Sequence, residues 1–179
     1  MMIANTVAKW RPREKPLKKF VVASAFLALG SAMETAAILD KDVRNEVKTW
    51  KDPMVVMFEV LPNGPYMVLE KRNGRLRYLG MNKMPADLAI SFKTLEGAFL
   101  VMSAQIGTPQ SYAEHRATLK GDVSAAMSLI RCLNIVQGYL FPKIISKRVL
   151  KRVPPMNLTK HAIRAVIYAL GVPYGLRRL

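Results

Sequence analysis

Apolar positions keep different periods along this chain, and each period marks a different part of it. From Phe20 to Leu39 the run FVVASAFLALGSAMETAAIL is apolar almost throughout. Val22, Phe26, Leu29, Met33 and Ala37 recur at helical spacing within it, which predicts a buried helix with one inner stripe. Two other readings stay open for the same run. A signal peptide would use Lys18-Lys19, the apolar stretch and a small-residue cleavage site at Gly30-Ser31-Ala32. A membrane span needs about 20 apolar residues, and Ser31, Glu34 and Thr35 interrupt this one.

Asp40–Asp52 is polar and reads as a helical turn or two that caps the first helix. A period of two then takes over. Met54–Leu61, Tyr66–Lys71 and Arg75–Met81 are strand-like, separated by Pro62-Asn63-Gly64-Pro65 and by Arg72-Asn73-Gly74. Asn-Gly supplies the left-handed backbone that a tight hairpin needs, so these runs predict a meander. After a break at Asn82–Pro85, a fourth strand is predicted from Ala86 to Lys93. Ala86, Leu88, Ile90 and Phe92 would point inward, with Asp87, Ser91 and Lys93 outward.

Helical spacing returns after Thr94, a capping residue for a helix in which Leu95, Phe99 and Met102 share a face and which ends near Gly107. A turn follows at Thr108-Pro109, then a short extended run at Arg116–Lys120. Gly121 can take a positive φ, and Asp122 can cap the amides of a long helix. On that helix Ala126, Leu129, Ile130, Leu133, Val136 and Leu140 form the apolar face. Pro142 kinks or restarts the chain. Between Lys143 and Val153 one half-circle carries Lys143, Lys147, Arg148, Lys151 and Arg152. The other carries Ile145, Val149, Leu150 and Val153, with Ile144 as the exception. Pro154-Pro155 stops this segment, and a last helix is expected from Leu158 to about Leu170, ended by Gly171 and Pro173.

Charge adds a second layer to this picture. Lys and Arg number 28 against 12 Asp and Glu, a formal net charge of +16. No acidic residue follows Asp122, whereas ten basic ones do. That imbalance favours an anionic partner. Each Lys or Arg beside an anionic leaflet is worth about 1 kcal/mol, so the five of the Lys143–Arg152 segment give at most about 5. With apolar insertion on the opposite face, this predicts reversible, salt-sensitive surface binding. Nucleic acid is disfavoured as a partner, because Tyr168 and Tyr174 are the only aromatics past Phe141. The boundaries read as a basic arm over 1–19, a domain over 20–141 and a basic helical extension over 142–179.

Candidate chemistry is sparse. The single cysteine, Cys132, sits among apolar neighbours on the long helix and reads as a small core residue. His115 and His161 lack the spacing of a metal site. No nucleophile with a base partner, carboxylate pair or Gly-rich phosphate loop is present, and Asp87, Glu96, Glu114 and Asp122 fit strand, first-turn or cap positions. Neither an enzyme nor a cofactor is expected.

The order of these elements, and three stretches along them, resemble the sterol carrier protein 2 family. The stretches are Pro85-Ala86-Asp87-Leu88-Ala89-Ile90-Ser91, Thr108-Pro109-Gln110-Ser111-Tyr112, and Ala117-Thr118-Leu119-Lys120-Gly121-Asp122 followed by Ala126-Met127. The similarity spans roughly Phe20 to Leu140, and on the family's pattern Pro109-Gln110-Ser111 begins a helical turn. The resemblance implies an α+β fold, a five-stranded, mostly antiparallel sheet covered on one face by helices. It also implies an apolar tunnel for a lipid, fatty acyl or isoprenoid ligand. Leu88, Ile90, Phe92, Phe99, Met102, Met127, Ile130 and Val136 are the candidate wall, although by periodicity alone they are simply core. The family includes carriers and bacterial accessory factors of isoprenoid-quinone synthesis. The expectation is therefore a cytoplasmic carrier that docks on anionic membrane. The alternative is an accessory subunit docking on a protein complex, with Trp10, Tyr174, Arg177 and Arg178 as interface anchors.

Overall fold

The computed structural model describes residues 15–141 and 158–177. Helix α1 runs over Pro16–Leu39. It starts four residues before the apolar run, because Pro16 falls in the first helical turn, where its missing N–H costs nothing. The predicted stripe faces inward: Val22, Phe26 and Met33 are fully buried, and Leu29 nearly so. The polar residues that interrupt the run have partners inside the domain. Ser31 Oγ donates to the Leu27 carbonyl at 2.8 Å and Thr35 Oγ1 to that of Ser31 at 2.9 Å. Glu34 Oε2 accepts the Tyr78 backbone N–H at 3.0 Å. By length and composition α1 and the long helix at Val123–Leu140 are both apolar enough to cross a membrane. Here each places half of that apolar window against the core.

Asp40 separates α1 from α2 (Lys41–Lys48). It caps α2 by accepting from the N–H groups of Asp42 and Val43 at 2.7 and 3.4 Å. The strands are β1 (Met54–Val60), β2 (Tyr66–Arg72), β3 (Arg75–Gly80), β4 (Leu88–Phe92) and β5 (Ala117–Lys120). The β2–β3 turn uses the left-handed backbone that Asn-Gly provides, with φ of 52° at Asn73 and 71° at Gly74. Sheet order is β3-β2-β1-β4-β5. All neighbours are antiparallel except β1 and β4, which run parallel in a register that places Phe58 beside Ile90.

Alternation assigns one sheet face to the core. Met54, Val56, Phe58 and Val60 on β1, Met67 and Leu69 on β2, Leu76 and Tyr78 on β3, and Leu88, Ile90 and Phe92 on β4 meet the helices there. Lys71 points the same way at the sheet's end. Its ammonium donates to the carbonyls of Lys48 and Trp50 at 3.2 and 2.6 Å, taking up carbonyls left open at the C-terminal end of α2. The other face keeps a small apolar patch of Met57, Val68 and Ala89. Ala86 packs on that outer patch, not inward, because β4 begins only at Leu88.

Helix α3 (Leu95–Met102) is capped by Thr94 Oγ1, which accepts the Gly97 N–H at 3.1 Å. Its buried residues are Gly97, Ala98 and Val101, so Leu95, Phe99 and Met102 sit at the margin of the contact. The Pro-Gln-Ser stretch forms a short helix, α4 (Thr108–Ala113). After β5, Gly121 takes a φ of 123°, and a Cβ there would stand 2.4 Å from the Asp87 carbonyl oxygen. Asp122 then accepts the Ala125 N–H at 2.8 Å to open α5 (Val123–Leu140). Past the undescribed residues, α6 (Leu158–Val166) passes through a π turn at Ile167–Gly171 into α7 (Val172–Leu176). The helix expected to stop at Gly171 therefore continues, with Pro173 placed in the first turn of α7. Ile163 and Ile167 join the main core, so these last elements pack against the domain.

Candidate functional site

Where α1, α3 and α5 meet above the sheet, their small side chains leave a seam. Ala25 and Ala28 on α1, Val101 and Met102 on α3, and Leu140 and Phe141 at the end of α5 enclose a cavity of about 180 Å³. Tyr168 closes one side, its hydroxyl donating to the Leu140 carbonyl at 2.5 Å. Leu29, Val101, Met102 and Gln137 also line a second, deeper space of about 20 Å³. That space reaches the sheet at Phe58, Ile90, Phe92 and Ala117 and is closed by Thr108, Ser111, Tyr112 and Leu133. Neither space is lined by a charged residue.

The deeper space is not wholly apolar. Ser111 is 1% exposed and Gln137 5%. Ser111 Oγ, Tyr112 Oη and Gln137 Oε1 are buried with no hydrogen-bond partner. A buried polar atom left unpaired costs about 1–3 kcal/mol, so three on residues around one space of this size are an expensive arrangement. Desolvation alone pushes the Tyr112 phenol above its ordinary range, which keeps it a neutral donor.

Two larger recesses open on the other side of α1. One of about 540 Å³ lies between α1 and the C-terminal helices, the other of about 670 Å³ beside α2 and β3. Both share Glu34, Ile38 and Tyr174, and the second is edged by Arg44, Arg75 and Arg77. These are larger than the seam, but their walls carry charge and lie at the surface. The seam differs from both in having no charged residue in its lining.

Ion pairs hold the helices around the seam. Lys18 donates to Glu96 Oε2 at 2.6 Å and its ammonium lies 5.0 Å from the centre of the Phe99 ring; Lys15 bonds the other Glu96 oxygen. These ammoniums hold the Glu96 carboxyl below its usual range. On the far side, Trp50 Nε1 donates to Ser128 Oγ at 2.8 Å, and Ser128 donates to Glu46 Oε2 at 2.8 Å, joining the stretch after α2 to α5.

Of the expected wall, Ile90, Phe92 and Met102 line the deeper space. Leu88 and Val136 are fully buried in the surrounding core, while Phe99 and Ile130 are half-buried. Met127 is 51% exposed and does not belong to the wall. It follows Ala126 by about 100° around the helix, and Ala126 holds the inward position. The basic residues Lys143, Lys147, Arg148, Lys151 and Arg152 lie outside the described residues. Leu29, Phe58, Val101, Leu133, Ser111, Tyr112 and Gln137 line the space without having been expected there. Gln137 had a readable trace: it falls four residues after Leu133, on the buried face of an otherwise apolar helix.

Among the described residues no group of three or more His, Cys, Asp or Glu could hold a metal ion. Cys132 is fully buried, and burial pushes its thiol up to about 12.

Fold and seam define an α+β domain with a five-stranded mixed sheet, helices on one face and a narrow, uncharged space between the two layers. No protein-family profile matches this chain, and no curated protein sequence matches it. Solved structures with a similar arrangement carry sterol carrier titles. The solution structure of the sterol carrier protein domain 2 of Helicoverpa armigera shares 20% identity at a TM-score of 0.49, covering 72% of this chain and 96% of that one. A ubiquinone synthesis protein, UbiJ-SCP2, shares 15% identity at a TM-score of 0.42, over 68% of this chain and 99% of that one. Sterol carrier protein 2-like 2 from Aedes aegypti shares 10% identity at 0.34, over 54% and 94%.

Proposed function

We propose that this chain is a non-enzymatic protein that binds, and transfers, a hydrophobic ligand of the lipid, fatty acyl or isoprenoid kind between its helical layer and its sheet. One observation carries this reading: two uncharged spaces that share lining residues lie at the α1–α3–α5 junction and against Ile90 and Phe92 of the sheet. Its 180 Å³ outer part is smaller than the roughly 300–1,000 Å³ of ordinary ligand pockets. Met102, which lines both parts, is a flexible side chain whose movement widens the space for a long, thin ligand. The sequence resemblance to sterol carriers points the same way. Native mass spectrometry of gently purified protein tests it: a co-purifying lipid, or uptake of prenyl or fatty-acyl probes, is expected, and repeated failure of both sinks the reading.

Delivery would take place at a cytoplasmic, anionic membrane surface. The acid-free stretch after Asp122, with Lys143, Lys147, Arg148, Lys151 and Arg152, supports reversible docking. Because Ile163 and Ile167 are part of the core, the test replaces those five side chains by Ala and leaves the C-terminal elements in place. Sedimentation with anionic vesicles at low salt should be lost in that variant, and its persistence would move the docking site elsewhere.

A second reading, an accessory subunit on a protein complex, is favoured by Leu17 and Phe20, which are 75% and 69% exposed near the start of α1. A native complex that elutes well above the size of the chain, and that dissociates when both are changed to Lys, would support it.

A further inference from the structure

The geometry points to a ligand that carries one uncharged oxygen, an alcohol or a ketone-type carbonyl, seated against Ser111, Tyr112 and Gln137 at the inner end of the seam. This inference rests on the ligand-binding reading above and narrows its chemistry. Ser111, Tyr112 and Gln137 all line the deeper space, and the two hydroxyls and the Gln137 carboxamide oxygen are buried with no partner in the protein. The hydroxyls can donate as well as accept, and the carboxamide oxygen accepts. An alcohol would donate to Gln137 and accept from Ser111 or Tyr112. A carbonyl would accept from both hydroxyls. The space of about 20 Å³ suits one oxygen-sized group, being little more than the roughly 10–15 Å³ that a single water requires.

The outer cavity offers room for the apolar remainder. Leu29, Val101 and Met102 line both spaces, so a chain attached to the seated oxygen would pass them into the larger cavity at the α1–α5 junction. Charge decides between head groups. No cation lines either space, and an ionised carboxylate brought there would be desolvated without a counter-charge. The site therefore discriminates against fatty acid anions and in favour of neutral oxygenated lipids.

Displacement of the neutral dye N-phenylnaphthylamine from the full chain tests this, with dodecanol, dodecane and dodecanoate as competitors. Dodecanol is expected to bind about tenfold more tightly than dodecane, the equivalent of one to two net hydrogen bonds. Dodecanoate at mildly alkaline pH should be the weakest of the oxygenated pair. Tyr112→Phe and Ser111→Ala, which remove an oxygen and little else, should cut the alcohol's advantage severalfold while dodecane affinity stays unchanged. Gln137→Met is the third arm. Equal affinity for alcohol and alkane, preference for the carboxylate, or an advantage that survives all three variants would overturn the head-group assignment. A trapped water shared by the three atoms would give the last of these results. A protein that takes up neither dye nor competitors would instead overturn the ligand-binding reading itself.

Discussion

Arg131 on α5 grips Glu46 on α2 with both ends of its guanidinium, Nε to Oε1 at 2.7 Å and Nη2 to Oε2 at 2.8 Å. Glu46 also accepts from Ser128, so one carboxylate holds α2 to the helix that walls the seam. These hydrogen bonds, the Arg131 one foremost, hold its carboxyl below the usual range. The Glu46 side chain is 24% exposed and that of Arg131 53%, so solvent screens much of the attraction. Glu46→Gln should cost about 1 kcal/mol at neutral pH, a fall in Tm of about 2–4 °C for a chain of this size. A carboxyl with a lowered folded pKa stabilises above its unfolded value of 4.5 and loses that contribution as pH falls through the folded value. Thermal melts of the two proteins should therefore converge in acid. A difference that persists there would show that the pair does not carry the effect.

Gly30 on α1 faces the ring of Tyr78, and a Cβ at this position would lie 2.5 Å from Cδ2 and 2.7 Å from Cε2. Tyr78 is fully buried, so its ring has little room to retreat. Gly30→Ala gains helix propensity of about 1 kcal/mol but overpacks the contact by about 1–3. A net loss of up to about 2 kcal/mol is expected by urea unfolding. Stabilisation would mean that α1 does not press on β3.

Cys132 should resist Ellman's reagent in the folded protein at mildly alkaline pH and react fully once unfolded. Its thiol is raised from 9.0 to about 12, chiefly by burial. The stabilisation linked to it is complete below about 9 and is lost as pH climbs towards 12. Cys132→Ala should unfold less steeply than the parent over that alkaline window. Rapid labelling of the native thiol would contradict its burial.

Much of this fold could be read directly from residue spacing. Alternation located the first four strands to within about two residues, whereas periodicity alone allowed a fifth beginning as early as Tyr112, and Asn73-Gly74 marked its hairpin because few other pairs tolerate two positive φ angles. The inner stripe of α1 followed from helical periodicity. The parallel pairing of β1 with β4 did not, since it joins Phe58 to Ile90 across more than thirty residues of intervening chain and no local pattern encodes it. The lining of the deeper space was less legible. Apolar character marks Ile90, Phe92 and Met102 of that lining but not Ser111 and Gln137, whose polar side chains carry no hydrophobic signal. It also admitted Met127, whose type suits a pocket but whose helical angle does not.

The central claim, that the seam between α1, α3 and α5 is where a hydrophobic ligand sits, is tested most directly by filling it. Ala28 lines the outer cavity and is only partly buried, so Ala28→Trp can occupy that space without displacing the core. Native mass spectrometry of the parent chain with prenyl and fatty-acyl probes should show one bound ligand. The Ala28→Trp variant, with an unchanged circular dichroism spectrum and melting temperature, should show at least a tenfold loss of binding. Equal uptake by the two proteins would contradict the account.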